Sequence, residues 1–400
     1  MLVHAYYDED PRVRREAESL VAAGRPVDVF GLRRDGDEAY GTLDGVTVRR
    51  LDVRRHQGAG LPTYLAEYLA FLARATWALT RAHGRRHYAL VQVHTPPDFL
   101  AFGALPLRLA GVPLLLDLHE AMPEFFRSRF PRASNRVVHA ALRLTERMSI
   151  GLATAAVTVN PAMRDRLVAL GTPADKLGVV PNSPSLARFD QASLARRTFA
   201  EEGTIRLVYA GALTPVYEVD VVIDAIAALR RSRPELDVAF DVYGRGDAAE
   251  PLAARARAKE VEDKVTFHGR IPIEDVPLAV SRADIGVAPT RRDPFTDVSL
   301  STKVFEYAAM GKPVVASRLP MVEQTFPAGT VTQYEPGDAS ALATAIAEIA
   351  DDPLAREAAV ERTAAIVADR AWEREAEGYV ALVDRLATDT RRSTGHTGEA

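Results

Sequence analysis

Short β-branched apolar runs, most of them closed by glycine, proline or a polar pair, alternate along the chain with longer stretches of helical spacing. In the first half the runs predict strands at Leu2–His4, Val27–Phe30, Val46–Leu51, Leu90–His94, Leu114–Leu118, Ala156–Val159 and Gly178–Val180. In the second half they predict strands at Leu207–Ala210, Phe240–Tyr243, Val265–His268, Ile285–Ala288 and Val314–Ala316. Helical spacing covers Arg12–Ala23, Pro62–Ala82, Arg136–Ile150 and Ser301–Met310, then three late stretches, Ser340–Ala350, Ala355–Val367 and Trp372–Leu386. Asn160-Pro161 reads as a cap followed by proline at the first helical position, and Gly171 ends that helix. Alternating strand and helix signals predict an α/β protein whose parallel sheets are covered by helices.

The stretch 183–203 lacks a strand period, which divides the chain. The expected organisation is an N-terminal domain over 1–186, a linker at 187–203 and a C-terminal domain over 204–370. A polar tail rich in threonine and glycine, 389–400, is expected to be disordered. In parallel sheets ligands collect at the carboxyl ends of strands. His94, His119, Gly211, Gly244, Gly269 and the loop after Pro289 all fall there.

Composition narrows the chemistry. Cysteine is absent, which excludes disulfides, thiolate metal sites and a cysteine nucleophile. No apolar run approaches the ~20 residues of a membrane-spanning helix, and the opening residues carry no leader signature, so a cytoplasmic protein is expected. The net charge of −4 is uneven: residues 1–185 carry +5 and the remainder −9. The densest basic patch, 124–148, interleaves six arginines with Phe125, Phe126 and Phe130. It reads either as a solvated helix face over buried phenylalanines or as a surface for peripheral contact with an anionic membrane at its inner face. Nucleic acid is not an expected partner, since the chain is acidic and lacks a binding motif.

The most informative segment is Ala283–Ser317, which reads strand, loop, helix, strand. The loop before its helix carries Ser299, Ser301, Thr302 and Lys303. Free amides, hydroxyls and an ammonium at a helix start form a site for phosphate. Glu306, one turn in, is placed to accept hydrogen bonds from sugar hydroxyls. An ordinary i, i+3 ion pair is the alternative. Of fifty basic residues only five are lysine, and two of those, Lys303 and Lys312, fall in this segment, which favours a phosphate ligand at Lys303. No metal is expected: His83 and His87 have ligand spacing, but Arg85 and Arg86 between them repel a cation.

Seven stretches together resemble the retaining GT-B glycosyltransferases of family four: DPRVRREAESLVAAG (10–24), LLLDLHEAMPEFF (114–126), VVPNSPSLARFD (179–190), YAGAL (209–213), VYGRGD (242–247), VTFHGRIP (265–272) and the segment above. The resemblance implies two Rossmann-like domains facing across a cleft, the N-terminal one for the acceptor and the C-terminal one for a nucleotide-sugar, with the helix at about 371–388 crossing back. It implies sugar transfer to an acceptor hydroxyl, with UDP the commonest nucleotide and a saccharide, lipid-linked or small-molecule acceptor. The setting it implies is glycolipid or polysaccharide assembly. No cofactor is implied, the nucleotide-sugar being a substrate.

By position, Glu306 matches the glutamate that holds the ribose, and His119 the histidine lining the donor sugar. Gly269 and Arg270 match the turn beside the base. Gly244, Arg245 and Gly246 match a glycine turn, with Gly211 at the preceding strand end. Lys303 and the amides at Ser301–Thr302 are the candidates for stabilising the leaving diphosphate.

The chain departs from the family pattern. Val298 stands where a second glutamate is common, leaving Asp297 or Asp293 as replacements. Ala212 and Tyr217 stand where an arginine and a lysine are common. A double-glycine loop after the first strand is replaced by a region with Tyr6, Tyr7 and the Arg12, Arg14 and Arg15 group, from which a basic residue is expected to close over the diphosphate. His94 and Glu120 complete the expected acceptor side. Two alternatives stay open: a catalytically inactive nucleotide-sugar-binding protein, and an NAD-dependent oxidoreductase, since Gly244–Ala249 has the G-x-G-x-x-A form.

Overall fold

The computed structural model describes residues 1–56, 60–130, 133–195 and 197–395, with side chains through 388. Two compact units divide the chain: Met1–Asn182 with the segment from Arg374 onward, and Ser183–Glu373.

In the first unit the strands are β1 (Asp28–Leu32), β2 (Tyr40–Leu43), β3 (Val46–Leu51), β4 (Val91–His94), β5 (Leu114–Leu118), β6 (Ala155–Thr158) and β7 (Leu177–Val179). They order as β2-β3-β1 and β4-β5-β6-β7. Leu2 joins the two sets, pairing in parallel with Phe30 and Val93. The strand expected at Leu2–His4 is therefore reduced to a bridge, with Leu2 N donating to Gln92 O and His94 N to Leu2 O. Only β2 runs antiparallel, against β3. Asp44 and Gly45 turn that hairpin with positive φ, the geometry an Asp-Gly pair favours. Leucine, valine and phenylalanine side chains from β1, β4, β5 and the helix Leu61–Arg86 fill the core.

The second unit is one parallel sheet of β8 (Thr204–Ala210), β9 (Asp237–Tyr243), β10 (Val265–Gly269), β11 (Ile285–Ala288), β12 (Val314–Ser317) and β13 (Thr332–Tyr334). Its order is β10-β9-β8-β11-β12-β13. The order reverses between β8 and β11, so the loops at their carboxyl ends splay apart and leave room for a ligand.

Two sequence expectations need correction. The segment 187–203, expected as a linker, belongs to the second unit: Phe189 is buried among Phe305, Met310 and Phe326, with Leu186 and Leu194 packed beside it. The C-terminal helix spans Trp372–Gly395, so 389–395 is helical rather than irregular, while 396–400 lie outside the described residues. Neither proline nor glycine interrupts the chain between Gly378 and Gly395, so nothing stops the backbone ladder. This helix opens in the second unit, where Trp372 N donates to Pro184 O at 2.9 Å and the Glu373 carboxylate accepts from Ser185 Oγ. From Arg374 it belongs to the first unit, where the Tyr379 hydroxyl donates to Gln92 Oε1 at 2.6 Å. Among the described residues no helix is long and apolar enough to cross a membrane.

Candidate active site

In the second unit three neighbouring loops are laced by backbone hydrogen bonds at the carboxyl ends of β8, β9 and β10. Gly211 N donates to Tyr243 O (2.9 Å), Leu213 N to Arg245 O (3.0 Å) and Gly244 N to Gly269 O (2.8 Å). Gly211, Gly244, Arg245 and Gly269 are thus brought together, and exposed Arg270 follows directly. Lys303 packs over this lacing. A Cβ on Gly211 would lie 2.3 Å from Lys303 Cε and 2.9 Å from Nζ, so the lysine occupies space that only glycine leaves.

The helix carrying Lys303, Thr302–Ala309, follows the β11 loop. Its cap residue Ser301 is extended and makes no side-chain cap bond, so no side chain competes for the first-turn amides. The Tyr307 hydroxyl anchors the helix by accepting from Ala210 N at 3.0 Å, at the end of β8. Lys303 is buried, 9% exposed. Its Nζ lies 4.0 Å from the Tyr217 ring centre and 5.3 Å from that of Tyr209. Among the described residues no carboxylate pairs with it. Tyr217 therefore supplies a π face to this cation.

The other candidates of this segment are committed locally. Ser299 Oγ donates to Phe295 O, and Asp297 accepts from Arg292 Nε at 3.2 Å. Asp293 accepts from the amides of Phe295 and Thr296. Glu306 is half-buried one turn beyond Lys303.

In the first unit Asp117, on β5, joins two imidazoles. Its Oδ2 lies 2.9 Å from His94 Nδ1 and 3.2 Å from His119 Nε2, and the rings stack with centres 5.5 Å apart. A carboxylate only accepts, so both of these nitrogens donate to it. The second nitrogen of each ring, His94 Nε2 and His119 Nδ1, is buried and without a partner among the described residues. Burial pushes His119 down to about 4, against the opposing pull of Asp117, so its ring is neutral near pH 7. Burial opposes ionisation of Asp117, but the two imidazoles hold it well below the usual carboxylate range. Glu120 is pushed up by burial, and its Oε2 lacks a partner among the described residues.

Arg12 forks onto Asp10, with Nε to Oδ1 at 3.0 Å and Nη2 to Oδ2 at 2.9 Å, while Asp10 caps the helix Pro11–Ala22. Tyr7 is buried in the turn just before it. His94, Asp117 and His119 are also the one group of three metal-ligand types that converges among the described residues. Hydrogen bonding accounts for their spacing, and the remaining ring nitrogens lack the outer partners that metal-bound histidines have.

A buried chain continues from this triad: Gln92 Nε2 donates to Glu16 Oε2 at 2.6 Å, and Tyr379 reaches the same glutamine. None of Glu16, Gln92 and Tyr379 is among the site residues expected from the sequence. The signal was present, because Glu16 shares the helix face of Val13, Ala17 and Leu20, all buried.

The depressed His119 value predicts an acid-sensitive fold. The unfolded chain takes up the proton near pH 6.5 and the native chain only near 4, so stability falls as pH drops through that window. Between pH 7 and 5 this residue contributes a loss of roughly 2 kcal/mol. Urea unfolding of His119→Gln at the two pH values should show a flatter dependence than wild type; an identical slope refutes the assignment.

The two Rossmann-like units, with loops clustered at the carboxyl ends of their parallel strands, have the GT-B fold. Residues 10–183 match the glycosyl transferase 4-like domain and residues 204–352 the glycosyl transferases group 1 domain, and the chain belongs to that family. It is 27% identical to the D-inositol 3-phosphate glycosyltransferase of Arthrobacter sp. over 96% of this chain and 92% of that one. It is 28% identical to glycogen synthase of Mycobacterium tuberculosis over 66% of this chain, but the match spans only 61% of the synthase. The fold is that of sucrose-phosphate synthase from Thermosynechococcus elongatus, with a TM-score of 0.76, 20% identity and coverage of 97% and 99%.

Proposed function

We propose that this glycosyltransferase moves a sugar from a nucleoside diphosphate sugar, with UDP the first nucleotide to test, to an acceptor hydroxyl with retention of anomeric configuration. The observation that carries the reading is Lys303: a buried ammonium on two tyrosine faces, with no carboxylate partner among the described residues, beside an uncapped helix start. Buried charge without a counter-charge is costly, and a diphosphate oxygen provides one.

In this reading the bond from the anomeric carbon to the diphosphate breaks, and the acceptor oxygen bonds to the same face of that carbon. The acceptor proton passes to the departing phosphate. Lys303 and the amides of the helix start meet the growing charge, so no metal is assigned to the step. Glu306 takes ribose hydroxyls, and Gly269 with Arg270 borders the base. His119 Nδ1, an acceptor in a neutral ring, takes a donor-sugar hydroxyl. Acceptor assembly into glycolipid or polysaccharide is the proposed setting.

A mass-spectrometric screen of nucleotide-sugars for slow hydrolysis tests this without an acceptor, and EDTA should leave the rate unchanged. Thermal shift supplies an independent readout, since a ligand at 100-fold its Kd adds about 2.7 kcal/mol. Stabilisation by NAD and by no nucleoside diphosphate overturns the reading.

A further inference from the structure

Nine of the fifteen large hydrophobic side chains exposed among the described residues lie on three helices of the first unit. The helix Leu61–Arg86 presents Leu61, Leu65, Leu69 and Trp77, the last 67% exposed. The series 61, 65, 69, 73, 77 is one i, i+4 row that winds roughly 160° around the helix, and Leu69, Ala73 and Trp77 line one patch of it. The short helix Leu105–Leu109 adds both its terminal leucines. The helix Arg136–Leu152 presents Val137, Leu144 and Met148, again at helical spacing. The two long helices both pack on the turn Asp98–Ala104, which continues into Leu105–Leu109. All three belong to one layer.

Charge on this layer has one sign. The helix Leu61–Arg86 exposes Arg74, Arg81, Arg85 and Arg86, and its one acid, Glu67, is buried against His4. The helix Arg136–Leu152 exposes Arg136, Arg143 and Arg147, and its one acid, Glu146, is buried and paired with Arg166 at 2.9 Å. At the start of that helix Arg127, Arg136, Arg143 and His139 line an open pocket of ≈ 590 Å³. Arg127 donates to His139 Nε2 at 2.6 Å, and no carboxylate among the described residues pairs with Arg127, Arg136 or Arg143.

The phenylalanines of 124–148 are not the exposed anchors: Phe126 is buried, and Phe125 and Phe130 are partly covered. The apolar surface comes instead from the helix stripes, which local sequence around the arginines does not reveal. Arg132 lies outside the described residues.

We propose that this layer docks on an anionic phospholipid bilayer, with the stripes and Trp77 at the boundary of headgroups and acyl chains and the arginine pocket on lipid phosphates. Apolar side chains flanked by arginines, as Trp77 is by Arg81, bind such a boundary by apolar burial together with attraction to anionic headgroups. A second copy of the chain fits poorly, because a two-fold contact would set arginines against arginines. The proposal concerns this surface alone and stands apart from the donor assignment.

Flotation with vesicles of phosphatidylcholine alone, and with a quarter phosphatidylglycerol, tests it on the full chain. Wild type should bind the anionic vesicles at least tenfold better, with a blue shift of tryptophan emission that Trp77→Phe removes, since the other tryptophan, Trp372, is buried. Arg136→Ser/Arg143→Ser and Leu69→Ser/Trp77→Ser should each weaken binding at least tenfold. The proposal is overturned if wild type ignores anionic vesicles, if both double variants bind as well as wild type, or if sedimentation shows a dimer that the apolar pair abolishes.

Discussion

Lys303→Ala should lower turnover by more than tenfold, on the order of 100-fold, while leaving the fold intact. Removing one preorganised donor from a site of developing negative charge costs ~2.7–4 kcal/mol in the transition state, and the low end of that range is the 100-fold loss. Here the loss falls on a loop, 211–218, that carries no cation of its own, so little else in this loop can compensate. Stability should move the other way or not at all. Lys303 is a buried cation resting on two rings, without a carboxylate partner among the described residues, and neutralising such a group often relieves the folded state. Falling turnover with steady or rising melting temperature is the pattern expected of a ligand-binding charge. A structural lysine gives the reverse. Donor hydrolysis rates and thermal unfolding of the same preparation decide between them, and wild-type turnover refutes the role.

The alternation of strand and helix was legible because parallel strands buried on both faces read as continuous apolar runs, as in Leu114–Leu118 and Val314–Ser317. Shorter elements escaped. The strand Tyr40–Leu43 is half exposed and carries no apolar run, and Thr332–Tyr334 has three residues. The candidate site was legible where residues adjacent in sequence form it, as at the helix start bearing Lys303. It was illegible where distant residues converge. Nothing near Tyr209 announces that its ring lies under Lys303, and nothing near His94 announces that it shares an oxygen of Asp117 with His119. The Phe189 segment was misread because loop-like composition does not reveal a single buried aromatic.

Gly246→Ala should damage the second unit far more than Gly269→Ala, although both glycines belong to the same cluster of loops. A Cβ at Gly246 would lie 2.0 Å from Leu213 O and 2.6 Å from its carbonyl carbon, so backbone itself must move. Leu213 is held to this turn twice, by its N–H on Arg245 O and by its carbonyl accepting from Ala248 N, both at 3.0 Å. Overpacking costs ~1–3 kcal/mol and each of the two weakened bonds ~1 kcal/mol, giving a loss of about 3–5 kcal/mol. At Gly269 the added carbon meets open space, and only the positive φ of 72° opposes it, at about 1 kcal/mol. Amide exchange in peptides covering β8 and β9 measures both losses without assuming that the two units unfold together. Because the Leu213 loop begins at the glycine beneath Lys303, Gly246→Ala should also weaken donor binding, whereas Gly269→Ala should leave Lys303 in place. Equal losses of protection in the two variants would falsify the close packing of these turns, and with it the account of how the lysine is positioned.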